Sequence, residues 1–151
     1  MKKLCLFIAC SLLVLASCKK KADEIDTSTA SVNVALLTTK AWIISGNDAN
    51  PATNPKGGTI NYAPISACYT DDTYTFNTDG TMLVDNGTVH CNGAEAATST
   101  YNYSVDKVNN TITVDGNTFR LAEISAIQFK YYSVVSTPAG NQFTVYIFQH
   151  N

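Results

Sequence analysis

Asp72-Thr73-Tyr74-Thr75-Phe76-Asn77-Thr78-Asp79-Gly80-Thr81-Met82-Leu83-Val84-Asp85 is the stretch on which the fold turns. Apolar and polar side chains alternate with a period of two on both sides of Thr78-Asp79-Gly80. That is the pattern of two half-buried strands joined by a tight turn, with Gly suited to a left-handed position. A three-residue loop there pairs Phe76 with Met82 and Tyr74 with Val84, and leaves Thr73, Thr75 and Asp85 on the other side. One face of the hairpin is therefore apolar and needs a core to cover. The same register sets Cys68 opposite His90, one residue short of Cys91, so a bulge at Asn86-Gly87 is needed for the two cysteines to meet.

The alternation continues toward the C-terminus. Ser99 to Val105 and Thr111 to Val114 pair Val105 with Ile112 and Tyr103 with Val114 around a Lys107 to Asn110 loop. Asp115-Gly116 is a two-residue turn, and Asn117 to Ile124 returns from it with Phe119 opposite Ile112. Ile127 to Ser136 and Gln142 to His150 flank Thr137-Pro138-Ala139-Gly140. Upstream, Leu36 to Lys40 makes one helical turn before a first strand, Ala41 to Asn47, with Trp42 and Ile44 on one face. The sequence thus predicts eight strands, local connections and no crossover helix, which requires an antiparallel sheet. Eight such strands close as an all-β, up-and-down antiparallel barrel that removes its own edges, with a two-sheet β-sandwich as the alternative. Asp48 to Ala67, rich in Gly, Pro and Asn, is a connection of a length that is uncommon in compact domains. It serves either as a functional loop or as a covering flap.

The N-terminus carries an address. Lys2 and Lys3 precede an apolar run from Leu4 to Leu15 that is too short to span a membrane and has the order of a signal peptide. Its end, Leu15-Ala16-Ser17-Cys18, resembles the lipobox of bacterial lipoproteins, which implies removal of residues 1–17 and diacylglycerol on the Cys18 sulfur. Two or more acyl chains anchor a protein stably, so a lipidated Cys18 is a permanent membrane tether. Residues 18–35 form the lipidated cysteine and a flexible linker, leaving residues 36–151 as the folded domain. The basic-then-acidic order after Cys18 resembles sorting signals of Gram-negative surface lipoproteins, which places the protein on the outer membrane, at its periplasmic face or at the cell surface. Cleavage removes Lys2 and Lys3 from the ten basic residues, so eight stand against twelve acidic ones, a net charge of −4. An acidic domain is a poor polyanion binder, and nucleic acid is not an expected partner.

Cysteine usage agrees with export. Cys5 and Cys10 leave with the signal peptide and lipid consumes Cys18, so Cys68 and Cys91 remain of the five cysteines. Outside the cytoplasm they are expected to form a disulfide, the alternative being two buried free thiols. No metal site is expected, because His90 and His150 lack the paired spacing of structural zinc ligands.

Leu36-Leu37-Thr38-Thr39-Lys40-Ala41-Trp42 and Cys68-Tyr69-Thr70-Asp71-Asp72-Thr73-Tyr74-Thr75-Phe76-Asn77-Thr78-Asp79-Gly80-Thr81 together resemble the opening segments of the small lipocalin-like lipoproteins of Gram-negative bacteria. The resemblance implies a lipocalin-like barrel, a lipidated N-terminus and a second cysteine after the third strand, here Cys91. The chain departs from the family at Lys-Ala-Trp, where Gly-Lys-Trp or Thr-Trp is usual. The family adds architecture and little function.

No residue set has a catalytic signature, so neither an enzyme nor a cofactor is expected. Asp71 and Asp72 are adjacent and would point to opposite faces of a strand, which suits solvated or turn-capping roles. His90 beside Cys91 is next to a disulfide rather than a nucleophile. Trp42, Tyr74, Phe76, Tyr101, Tyr103, Phe119, Phe129 and Tyr131 alternate so as to face the interior. They line either a packed core or a pocket for a small, partly apolar ligand beneath the Asp48 to Ala67 loop. The other function class is an accessory module docking an envelope protein. It is favoured by Tyr146 and Phe148, read as a second apolar face of the last strand, unless Leu36 and Leu37 bury them.

Overall fold

Strand-forming residues at period two dominate the structure, a computed structural model that describes residues 32–150. The expected signal peptide, the Cys18 lipidation site and the expected linker up to residue 31 lie outside the described residues. After the helical turn α1 (Val34–Leu37) come β1 (Trp42–Ile44), β2 (Gly58–Tyr62), β3 (Thr73–Phe76), β4 (Thr81–Asp85) and β5 (Thr98–Asp106). Then follow β6 (Thr111–Val114), β7 (Asn117–Ile124), β8 (Gln128–Thr137) and β9 (Gly140–His150). All nine strands lie in one sheet ordered β1-β3-β4-β5-β6-β7-β8-β9-β2, and β1 also pairs with β9. Hydrogen bonds therefore run around a closed ring of β1 and β3 to β9, with β2 added beside β9. Every pairing is antiparallel except that of β2 with β9.

Three expected registers are present: Phe76 faces Met82, Val105 faces Ile112, and Ile112 faces Phe119. The turn chemistry explains two of them. Gly80 has φ +87°, and Asp115 and Gly116 have φ +48° and +78°. Positive φ at both central residues is what a two-residue type I′ hairpin demands.

Four expectations change. The strand count is nine, because Gly58-Thr59-Ile60-Asn61-Tyr62 pairs in parallel with Asn141–Val145 inside what was read as a connection. The helical turn begins at Val34 rather than Leu36, and Val32 already bridges Ile124, so packed structure reaches into the stretch assigned to the linker. The first strand is only Trp42–Ile44. Finally, Cys68 and Cys91 are bonded with Cα atoms 5.1 Å apart, but no bulge brings them together. Instead β4 ends at Asp85, Gly87 turns the chain at φ +58°, and the Asp71 carboxylate accepts from the Thr88 and Val89 amides at 2.7 and 3.1 Å.

A bulge does occur in β7. Strict alternation from Phe119 and Leu121 would carry Glu123 into the interior. The register shifts between Leu121 and Glu123, so Ile124 turns inward to complete burial and Glu123 turns outward opposite Lys130.

The ring has two different ends. At the end of the β3–β4 and β5–β6 turns, α1 packs as a plug, with Leu37 fully buried. The Trp42 indole Nε1 donates to the Leu37 carbonyl at 2.9 Å and satisfies the one polar atom of that ring. The other end carries the β6–β7 turn, the β8–β9 tip and the disulfide.

Candidate functional site

The expected interior residues divide between these ends. Trp42, Phe76 and Phe129 are buried core at the plugged end, with Phe129 5.8 Å from Trp42 and 5.7 Å from Phe76 between ring centres. Tyr103 packs edge-on to Phe76 and donates its hydroxyl to the Asn77 carbonyl at 2.7 Å. Those four fill space rather than line it. Tyr74 packs edge-on against Phe148, and burial, with the charge of nearby Asp72, raises its phenol. Tyr101, Phe119 and Tyr131 line a cavity of about 220 Å³ at the other end, together with Met82, Val114, Asp115 and Asn117.

Each wall follows from the register. Met82 faces Tyr101 across β4 and β5, and β6 presents Val114 beside β7. Phe119 lies 4.8 Å from Tyr131, and Tyr131 stacks on Tyr146 at 5.0 Å. Burial pushes the Tyr131 phenol well above its ordinary range, with Tyr146 and Tyr74 adding to the effect, so it stays a neutral donor. Among the described residues, the Tyr101 and Tyr131 hydroxyls have no protein hydrogen-bond partner. Met82 and Val114 were legible as inward positions. Asp115 and Asn117 were not, because a type I′ turn already accounts for both.

The cavity does not lie beneath the long connection. No residue of 48–67 lines it. That segment instead crosses the outer face of β7 to β9, where Ile60 packs against Ala122, Tyr132, Phe143, Val145 and Ile147. Phe143, Val145 and Ile147 are the second apolar face of the last strand. Tyr146 and Phe148 point inward and pack in the same interior core as Leu36 and Leu37, so the pair that favoured docking of an envelope partner is buried by the chain itself, while β2 packs on the outer apolar face.

Beneath residues 48–54 lies a buried polar network that the sequence did not disclose. Lys130 is fully buried, and its Nζ donates to Asp48 Oδ1 at 2.9 Å, the Asn50 carbonyl at 2.8 Å and Asn54 Oδ1 at 2.9 Å. Glu123 Oε2 is 3.8 Å from the same Nζ and accepts from Gln128 and Thr53, each at 2.8 Å. Burial raises the Asp48 carboxyl, but hydrogen bonds from Lys130, Gln128, Asn50 and Asn54 outweigh it and hold the group at about 2. One lysine thus stands between two carboxylates with its donors satisfied, an arrangement that pins the connection to the sheet.

A second acidic group sits at the cavity end. Asp71 caps the Thr88-Val89 backbone, as expected of a turn residue. Asp72 is not solvated: it is 2% exposed, and its Oδ1 has no partner. Burial raises its carboxyl, and the charges of Asp71, Glu95 and Asp85 raise it further while His90 opposes them.

Among the described residues no His, Cys, Asp and Glu group has the arrangement of a metal site, and no helix is long and apolar enough to cross a membrane. Fold and site together define an all-β protein whose sheet is joined in a ring, plugged by a helical turn at one end and carrying a small, open aromatic pocket at the other. No family model, curated protein or solved structure matches this chain.

Proposed function

We propose that this protein is a non-enzymatic, lipid-anchored component of the bacterial cell envelope whose lipocalin-like barrel holds a small, partly apolar ligand at its open end. The observation that carries the reading is the cavity of about 220 Å³, with apolar walls at Met82, Val114 and Phe119 and polar atoms at Tyr101, Tyr131, Asp115 and Asn117. Concave apolar lining with a few fixed polar groups is what small-molecule sites require. Its volume is below the usual range for drug-sized ligands, which restricts the ligand to about one ring or a short branched chain. The anchor rests on the lipobox-like Leu15-Ala16-Ser17-Cys18, and the Cys68–Cys91 bond suits an oxidising compartment.

Two measurements test the two halves of this reading. Titration of the folded domain with one-ring neutral compounds such as benzyl alcohol and indole, followed by amide chemical shifts, should move the signals of Tyr101, Val114, Phe119 and Tyr131. Val114→Phe, which fills the cavity from one wall, should abolish those shifts; shifts that survive it place binding elsewhere. Labelling of cells with radioactive palmitate should mark the wild type and not Cys18→Ser, and equal labelling would remove the anchor.

A further inference from the structure

Three rings meet in the cavity, and the charges around it have one dominant sign. Tyr101, Phe119 and Tyr131 present aromatic surface to the same small space, and Asp115 lines it from the β6–β7 turn. No lysine or arginine is among its walls. Asp71, Asp72, Asp85 and Glu95 stand at the same end of the ring, around the disulfide, opposed there by His90 and by Lys56 just before β2. The segments at the plugged end carry both signs by contrast, Lys40 just before β1 and Lys107 just after β5 as well as Asp79 and Asp106. Aromatic faces carry negative charge density, and a cation within about 6 Å of a ring centre is attracted to it, most strongly where water is excluded. Carboxylates of one sign around a cleft raise the local concentration of the opposite ion. A neutral ligand would use the walls and ignore the rim, whereas an anion would be repelled by the rim.

We infer that the cavity ligand is a small organic cation, of the quaternary ammonium or alkylamine class, held against Tyr101, Phe119 and Tyr131 with Asp115 as its counter-charge. This rests on the binding reading above and narrows it to one charge class. The test compares choline with 3,3-dimethyl-1-butanol, which replaces its nitrogen by carbon at the same shape, by calorimetry and amide chemical shifts on the folded domain. Choline should bind about tenfold more tightly than the neutral isostere. Tyr101→Leu, at a partly exposed wall, and Asp115→Asn, which keeps a side chain tolerant of positive φ, should each weaken choline several-fold and leave the isostere nearly unchanged. Equal or tighter binding of the isostere overturns the cation and leaves a neutral apolar ligand site intact. Failure of choline, the isostere and indole alike overturns both the cation and the binding cavity.

Discussion

Neighbouring residues of β8 serve two unlike environments. Phe129 and Tyr131 face the interior, where ring packs on ring, while Gln128 and Lys130 face outward into a network of hydrogen bonds that is just as dry. The inner face is held by area and shape, and a defect there costs whatever cavity remains after relaxation. The outer face is held by mutual satisfaction. Lys130, Asp48 and Glu123 are tolerable only together, because each alone would be an uncompensated buried charge. A strand can therefore be buried on both faces without being apolar on both.

The largest expected effect tests that difference. Phe129→Ala and Lys130→Ala should each destabilise by about 3–5 kcal/mol in urea unfolding, the first through a cavity and the second through two unpaired carboxylates. A second substitution separates the causes. Asp48→Asn combined with Lys130→Ala should recover part of the loss, whereas Asp48→Asn combined with Phe129→Ala should simply add. Additivity in both cycles would mean that the outer network is solvated in solution and that the two faces do not differ as described.

Next in size is the disulfide, which ties the cavity end across 23 residues of sequence. Removing it by Cys68→Ala with Cys91→Ala should cost roughly 3 kcal/mol through the freedom regained by the unfolded chain. Reductant should lower the wild-type melting temperature to that of the double variant and leave the double variant unchanged. If the loss is felt at the cavity end alone, amide exchange should rise around Asp71 and Thr88 but not around Leu37 and Trp42.

How much of this was legible follows from the range of each interaction. Tyr74, Phe76, Met82 and Val84 announced their register because a tight turn sits between them, and Asp115-Gly116 did the same for Ile112 and Phe119. β2 was hidden because its partner lies some eighty residues away and runs parallel, so no turn marks the pairing. The inward set was correct in orientation, but period two cannot say where packing stops and space begins. Trp42 and Phe129 became core while Tyr101 and Tyr131 became wall, and what decided it was α1 filling one end. Lys130 and Glu123 carried no signal at all. Strict alternation even sends Glu123 inward, and only the β7 bulge, a three-dimensional accommodation, brings it opposite Lys130.

The acid response of the network is smaller and has a definite window. Asp48 is held at about 2 in the folded protein against 3.8 as its ordinary value. A depressed carboxyl stabilises above its unfolded value and loses that contribution as pH falls through the folded one. About 2 kcal/mol should thus be present at pH 4 and above and disappear toward pH 2. Asp48→Asn should lack this part of the acid slope, and an unchanged slope between those limits would show that the pair is not formed.

The smallest effect has the opposite sign and belongs to the cavity end. Asp72 is buried with one oxygen unpartnered and other carboxylates nearby, so its folded-state carboxyl is raised. The folded protein then binds that proton more tightly than the unfolded chain, and the residue costs stability at neutral pH that returns as pH falls through its folded value. Asp72→Asn removes the charge and keeps the size and shape of the side chain. It should leave the protein slightly more stable than wild type in urea at pH 7, with the advantage vanishing near pH 3, where Asp72 is protonated in both states. A variant less stable at pH 7 would mean that the Asp72 charge is paired in solution. The polar groups of the two regions would then be satisfied alike, and the contrast between the pinned outer face and the open end would rest on the cavity alone.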